Sequence, residues 1–287
     1  MFAQFESWSR SIAVAIGAGD NFQRKEFTLD KQLLTARLQQ KLLLSDPAQC
    51  YHLEFAVDEL SHFEFVPGQF ISCVAVDHRE KTQTRAYSIA SAPRANMLDL
   101  CVNRVEGGFF SNFLCDLEVG QTIQFHGPHG FFTLRQPLTD SIFIATGTGI
   151  APILGFVQYL FPDSGEDRSD GRSVWLVYGT RHETGIYYQK YFEKIAAERH
   201  NFHYLPTLSR PLEGWEGLRG YVQDHVAQIL THRESENHSA PTPTAAEGTG
   251  FDIHAYICGL NIMVSGNRDR LKERGWQRKQ IIFERYD

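Results

Sequence analysis

The segment Ser141–Pro152 constrains the fold more than any other part of the sequence. Residues 142–145 form a continuous apolar run, which is typical of a strand buried on both faces of a parallel sheet. Gly147 and Gly149 allow a tight turn, and apolar residues at helical spacing follow Pro152. The start of a helix presents N–H groups that favour a phosphate. Because the spacing is not GxGxxG, the pattern fits either a phosphate site or an ordinary strand-to-helix turn.

Shorter segments with a different pattern precede this one. Residues 31–136 contain runs in which apolar and polar residues alternate, separated by turn signals such as Pro67-Gly68. Many short strands with one short helix predict a small antiparallel β-barrel domain. Ser111 has the residue type of an N-cap, and we expect the helix to begin there.

The pattern changes after residues 137–139, which we interpret as a linker. Residues 140–287 alternate apolar strands with helical segments, which predicts an α/β domain built on a doubly wound parallel sheet. Residues 232–250 are polar with few apolar side chains, so we expect a flexible insertion there. Residues 1–30 show no clear periodicity and are expected to form an N-terminal tail.

The composition limits the classes of function. A length of 287 residues suits two domains, and a net charge of −6 argues against a general nucleic-acid-binding protein. The five cysteines have no CxxC spacing, which gives no indication of a metal site and favours a reduced, cytoplasmic location. No apolar run reaches transmembrane length, so membrane insertion is not expected.

One predicted barrel strand carries candidate binding residues. Arg85, Tyr87 and Ser88 supply a cation, an aromatic ring and a hydroxyl within four positions. Arg85 and Tyr87 would share a face of the strand, although each residue also suits an ordinary surface strand. Gly107 and Gly108 precede the short helix, whose start is a second possible phosphate site.

Several motifs together resemble those of the ferredoxin–NADP reductase family, and they occur in the order found there. The segments are Arg85–Ser91, Gly108–Leu114, Gly147–Pro152 and Tyr256–Leu260, followed by Glu284-Arg285-Tyr286, which is similar to the Glu-x-Tyr sequence of plant-type members. The resemblance covers roughly residues 31–287. It implies that the β-barrel domain binds FAD, that the α/β domain binds NADP, and that the chain is a flavoenzyme.

The resemblance also implies roles for individual residues at the flavin. Arg85 and Ser111 would hold the FAD pyrophosphate, while Tyr87 and Tyr286 would cover opposite faces of the isoalloxazine. Ser88 would bond near flavin N5. The remaining residues assigned to the FAD site are Cys101, Val102, Gly108, Phe109 and Phe110. The chain is short between Arg104 and Phe109 and lacks the hairpin that holds the adenine in plant-type members, so Phe109 or Phe110 is the candidate platform.

A second set of residues is implied at the nicotinamide cofactor. Cys258 and Glu284 would lie beside the nicotinamide and support hydride transfer, Thr148 and Gly149 would cradle the dinucleotide, and Gly259 and Leu260 would lie beside it. Candidates for the NADP 2′-phosphate are Ser209, Arg210, Arg219 and Tyr221. A solvated basic loop is the alternative interpretation of these arginines.

The implied reaction transfers a hydride between NADPH and FAD and single electrons between FAD and a separate ferredoxin or flavodoxin. Such carriers are acidic, so we expect a basic docking patch on the barrel, with Arg79, Lys81, Arg85 and Arg94 as candidates. Two alternatives are an NADH-dependent reductase component of an oxygenase system and a non-catalytic flavin electron-relay subunit.

Overall fold

The computed structural model describes residues 33–237 and 251–286. Its first half is an antiparallel sheet of six strands with one helix, α1 (Phe109–Asp116). The strands are β1 (Leu34–Ser45), β2 (Cys50–Val57), β3 (Phe70–Val76), β4 (Thr82–Ser88), β5 (Met97–Asn103) and β6 (Thr122–His129).

These six strands form a closed barrel. Their order is β4-β3-β6-β1-β2-β5, and every adjacent pair is antiparallel. A single bridge between Ile89 and Leu100 joins the end of β4 to β5 and closes the sheet. Apolar side chains such as Leu38, Phe55 and Phe125 fill the interior. The predicted β-barrel is therefore confirmed, and Ser88 lies next to its closure.

The second half is a six-stranded parallel sheet with helices on both faces. Its elements are β7 (Asp140–Thr146), α2 (Ile150–Leu160), β8 (Val174–Thr180), α3 (Gln189–Glu198), β9 (Phe202–Leu208), β10 (Leu218–Arg219), α4 (Val222–Asn237), β11 (Ile253–Leu260), α5 (Asn261–Glu273) and β12 (Ile281–Tyr286). Side chains of β7 alternate between the two faces. Phe143 and Ala145 pack with α2 and α3, whereas Ile142 and Ile144 pack with α4 and α5.

The strand order of this sheet is β10-β9-β8-β7-β11-β12. The chain proceeds outward from β7 to β10 and then returns to the other side of β7 as β11. The order therefore reverses between β7 and β11, and in open α/β sheets ligands bind at the carboxyl ends of the strands at such a point. The predicted doubly wound parallel sheet is confirmed.

Two details of the sequence prediction are wrong. Helix α1 begins at Phe109 with Gly108 as its N-cap, because the Ser111 hydroxyl is used inside the helix to bond the preceding loop. Helix α4 extends to Asn237, so residues 232–237 are helical rather than part of a flexible insertion. Arg233 holds this extension against the sheet through ion pairs with Asp140 and Asp252.

The rest of the predicted insertion, residues 238–250, and the predicted tail, residues 1–30, lie outside the described residues. The short strand β10 was not predicted from the sequence, since two residues carry too little pattern to indicate a strand.

Candidate functional site

The carboxyl ends of β7 and β11 meet at the reversal point of the parallel sheet. A 3-10 turn, Gly147–Gly149, follows β7 and leads directly into α2. A Cβ atom at Gly149 would overlap the carbonyl oxygen of Cys258 at the end of β11. Gly259 has φ +147, which favours glycine, and a Cβ there would collide with Thr146. Only glycines allow these backbones to approach so closely, and the turn stays open at Gly147, where a Cβ would meet no atom within 4 Å.

A hydrogen bond between the two halves of the chain defines the centre of the site. Ser88 Oγ, from the end of the barrel strand β4, donates to Glu284 Oε2 on β12 at 3.2 Å. Cys258 lies opposite Glu284 in the parallel pairing of β11 with β12. The structure thus brings together three residues that the sequence predicts to be catalytic.

The carboxyl of Glu284 has a raised pKa. Burial raises the pKa of Glu284 to about 7, and the hydrogen bond from Ser88 opposes this rise. Cys258 is completely buried. Burial raises the pKa of its thiol well above the ordinary value, and the charge of Glu284 adds to the effect. Glu284 can therefore exchange a proton near pH 7, whereas Cys258 is a neutral thiol.

Tyr286 completes this group of residues. It lies opposite Leu260 in the β11–β12 pairing, and its ring packs against the large core of the α/β domain. Its hydroxyl is buried and makes no hydrogen bond within the described part of the chain. Burial raises the pKa of Tyr286 well above its ordinary value, and Cys258 and Glu284 add to that rise. Tyr286 therefore lies beside Ser88, Cys258 and Glu284, and it belongs to the same group of side chains.

Two other residues predicted to contact the flavin, Arg85 and Tyr87, lie on β4 before Ser88. Tyr87 is half-buried against the barrel core, and burial raises the pKa of its hydroxyl. Arg85 is exposed. The strand rises about 3.3 Å per residue, which separates Arg85 from Ser88 by roughly 10 Å along the strand. A cofactor that contacts both residues must therefore be elongated.

The start of α1 is organised by the loop before it. Val105 donates its backbone N–H to Ser111 Oγ at 3.1 Å, and Asn112 Nδ2 donates to the carbonyl oxygens of Val105 and Gly108. Arg104 bonds Asn112 Oδ1 at 2.8 Å. The first N–H groups of a helix have no acceptor within it, so this fixed loop leaves α1 able to receive an anion. Ser111 shapes the turn from a buried position.

Cys101 and Val102 lie on β5 and are buried. Cys101 Sγ is 3.8 Å from Cys50 Sγ on the neighbouring strand. Tyr188 comes from the α/β domain, and its hydroxyl bonds His52 Nδ1 on β2 at 3.0 Å. Cys101 and the His52–Tyr188 bond lie where the barrel contacts the α/β domain, whereas Val102 packs inside the barrel. Any contact of Cys101 or Val102 with a cofactor would therefore be through the backbone. The sequence contained no signal for the His52–Tyr188 contact.

The residues predicted to bind a 2′-phosphate share one edge of the sheet. Ser209 and Arg210 follow β9, and Arg219 and Tyr221 lie at or just after the end of β10. β10 pairs in parallel with β9, with Arg219 opposite Leu208, so all four residues lie at the carboxyl edge. The side chains of Arg210, Arg219 and Tyr221 are exposed there.

Three of the four residues predicted to form a basic docking patch on the barrel are exposed, and the fourth is paired with carboxylates. Arg79, Lys81 and Arg85 are exposed. Arg94 instead binds Asp99 through two hydrogen bonds of 2.7 and 2.8 Å, and its guanidinium also bonds Glu54 at 3.0 Å. These carboxylates compensate its charge, so Arg94 does not add to a basic surface.

Known protein families match both halves of the chain. A family model described as an oxidoreductase FAD-binding domain matches residues 35–134, and an oxidoreductase NAD-binding domain matches residues 143–269. Ferredoxin–NADP reductase B of Sorangium cellulosum is 38% identical over 230 residues, which are 78% of this chain and 86% of the relative. The chain belongs to the ferredoxin–NADP reductase family. It is an FAD-dependent oxidoreductase with a nicotinamide dinucleotide domain, as the motifs predicted.

The chain is also similar to an electron transfer component of a dioxygenase and to a solved reductase structure. The electron transfer component of anthranilate 1,2-dioxygenase from Acinetobacter baylyi is 28% identical over 85% of this chain and 64% of that protein. A ferredoxin–NADP+ reductase structure from Plasmodium falciparum with 2′P-AMP has a TM-score of 0.71 and 24% identity, and covers 89% of this chain and 97% of that one. This structural likeness confirms the fold.

The geometry fits the two cofactors of the family. The Ser88–Glu284 contact would lie beside the flavin, and the turn is open to a dinucleotide at Gly147, where a Cβ would meet no atom within 4 Å. Among residues 33–237 and 251–286, no helix has the length and apolar character needed to cross a membrane.

Proposed function

We propose that this protein exchanges a hydride between NADPH and FAD and passes electrons singly between FAD and a ferredoxin or flavodoxin. The observation that carries the proposal is the contact of Ser88 with Glu284, which joins the barrel to the reversal point of the parallel sheet. Cys258 and Tyr286 lie at the same place. Membership of the ferredoxin–NADP reductase family supports this reaction.

The bound flavin supplies the chemistry that converts a two-electron donor into single-electron steps. The chain has to hold the two cofactors in contact and exclude water. Tyr87 and Tyr286 are the rings that would cover the flavin, and Tyr286 has to move before a nicotinamide can take its position. Arg85 and the start of α1 would hold the pyrophosphate.

Ser88 and Glu284 have the role of moving a proton. As a carboxylate, Glu284 accepts the hydrogen bond from Ser88 Oγ. In its protonated form the carboxyl can donate to that oxygen and replace a proton lost from Ser88. A pKa of about 7 allows Glu284 to hold or release that proton at neutral pH. Cys258 is neutral and fully buried, so it would offer the nicotinamide an uncharged, apolar surface only after Tyr286 has moved.

The exposed arginines support NADPH as the preferred nicotinamide. Arg210 and Arg219 lie at the carboxyl edge of β9 and β10, where two guanidinium groups can bind a 2′-phosphate. The reductase of Sorangium cellulosum is also named for NADP. We therefore assign the predicted NADP pocket to Ser209, Arg210, Arg219 and Tyr221.

A cytochrome c reduction assay tests the proposal. The purified protein should be yellow, NADPH should bleach it faster than NADH, and cytochrome c reduction should depend on added ferredoxin or flavodoxin. A colourless protein that takes up no flavin would refute the proposal, as would reduction that no carrier stimulates.

A second candidate is a reductase component of an oxygenase system. The similarity to the anthranilate dioxygenase component favours it, although this chain spans 64% of that protein's length. Faster bleaching by NADH than by NADPH, together with electron delivery to an oxygenase and none to ferredoxin, would select this alternative.

A further inference from the structure

A cavity of about 870 Å³ lies between α1, the turn before β6 and the tip of the β3–β4 hairpin. Phe109 and Phe113 line it on the α1 side, and His78 lines it on the hairpin side. The two phenylalanines are four positions apart, so they lie on one face of the helix. Both rings are half-buried, which leaves part of each available to the cavity.

The two rings have the same orientation. Their planes differ by 14°, and their centroids are 6.3 Å apart. A flat base that lies parallel to one ring therefore also lies parallel to the other. Phe110 does not line the cavity. It is 7% exposed and contacts Phe109 and Phe113 edge-on, at centroid distances of 5.1 and 6.4 Å. Phe110 thus supports the pair from the barrel core.

The position of the cavity suits one end of an elongated cofactor. β4 runs from Thr82, beside the hairpin, to Ser88, beside Glu284. Six steps of about 3.3 Å separate these ends by roughly 20 Å, with Arg85 midway. Proceeding from Ser88, a ligand along β4 meets the isoalloxazine contacts, then Arg85, and finally the hairpin tip, where the cavity and the start of α1 lie together.

We infer that the parallel rings of Phe109 and Phe113 are the platform on which the adenine of FAD stacks, and that they make the site select FAD over FMN. The inference rests on the proposed function, because it takes Ser88 as the isoalloxazine end. Stacking on aromatic rings is favourable for any base and needs no hairpin. The chain between Arg104 and Phe109 is too short to form the adenine-binding hairpin of plant-type members, and the rings of α1 take the place of that hairpin.

Flavin affinity measured with two flavins tests this platform. FMN lacks the adenosine half, so loss of the platform should affect FAD alone. Phe109→Ala and Phe113→Ala should each raise the Kd for FAD by about tenfold and leave the Kd for FMN within about twofold of wild type. Phe113→Tyr should retain FAD affinity. Phe131→Ala is the matched control, since Phe131 is 81% exposed and does not line the cavity.

The affinities can be measured by fluorescence titration of the flavin-stripped protein and checked by FAD release when the holoprotein is diluted. AMP should compete with FAD and not with FMN in the wild type. Equal weakening of FAD and FMN would mean that the rings are only structural and would overturn the inference, as would unchanged FAD affinity. A wild-type protein that binds neither flavin would overturn the proposed function itself, so the two failures are distinguishable.

Discussion

Ser88 and Glu284 are 196 positions apart in the sequence and are joined by a hydrogen bond of 3.2 Å. One residue ends a barrel strand and the other lies on β12, the outermost strand of the parallel sheet. The candidate catalytic carboxyl therefore has its proton affinity set by both halves of the chain. Burial raises the pKa of Glu284, and Ser88 limits that rise.

Glu284→Gln should flatten the pH dependence of stability in the flavin-free protein. The folded protein holds the Glu284 proton up to a pKa of about 7, compared with 4.5 ordinarily, so this group's stabilisation is complete below pH 4.5 and is lost as the pH rises to 7. We expect the wild type to lose roughly 2–3 kcal/mol more than the variant between pH 5 and 8 in urea unfolding. Glu118→Gln, at an exposed position, should behave as wild type. Parallel curves for Glu284→Gln and wild type would contradict the raised pKa.

Tyr286→Ala should tighten nicotinamide binding. In the proposed site the ring occupies the nicotinamide's position, so removing it removes a competitor. We expect the Kd for NADP to fall by about tenfold, an effect equivalent to ~1.4 kcal/mol, measured by difference absorption titration of the oxidised holoprotein. Tyr286→Phe should bind as wild type does, because it keeps the ring. Unchanged binding by Tyr286→Ala would show that the ring lies elsewhere in the complex.

Arg210→Ala should discriminate between the two nicotinamides. Loss of a charged hydrogen bond to the 2′-phosphate should lower kcat/KM for NADPH by about 10- to 100-fold and leave the value for NADH nearly unchanged. Arg172→Ala is the control, because Arg172 precedes β8 at the opposite, amino edge of the sheet. Equal losses with NADPH and NADH would assign Arg210 to another role.

Asp99→Ala should destabilise the barrel strongly. Asp99 is 2% exposed and binds Arg94 through two hydrogen bonds, and removing it leaves a partly buried guanidinium without its main partner. The guanidinium keeps its bond to Glu54 and is partly solvated, so the expected cost is about 1–3 kcal/mol in the free energy of unfolding. The surface pair Arg37–Asp58 provides the comparison, and Asp58→Ala should cost about 1 kcal/mol or less. Similar costs for the two variants would show that burial does not distinguish the pairs.

Local sequence patterns predicted most strands and helices of this protein, whereas contacts between residues distant in sequence set the helix ends. The apolar run before Thr146 was sufficient to predict β7, because a strand buried on both faces has no polar positions. The residue type of Ser111 suggested a cap, but its hydroxyl bonds the loop at Val105, which no local rule indicates. The polar end of α4 looked unstructured because its stability depends on a distant ion pair between Arg233 and Asp252.

In the candidate site, too, the residues could be predicted from motifs but their contacts could not. The motifs suggested Ser88, Cys258 and Glu284 as candidate site residues, but the sequence alone did not indicate that Ser88 and Glu284 bond directly. For the adenine platform the sequence offered Phe109 or Phe110. Helix geometry favours Phe109 for the platform that we infer, since a residue one position along turns by about 100° and Phe110 enters the core.

The outermost position of β12 leaves one of its edges without a strand partner. β12 pairs only with β11 among the described strands, and it carries both Glu284 and Tyr286. A strand held from one side opens locally at a lower cost than a central strand. In the proposed site, such fraying would withdraw the Glu284 carboxyl and the Tyr286 ring together, so proton transfer and cover of the flavin would be lost as one unit.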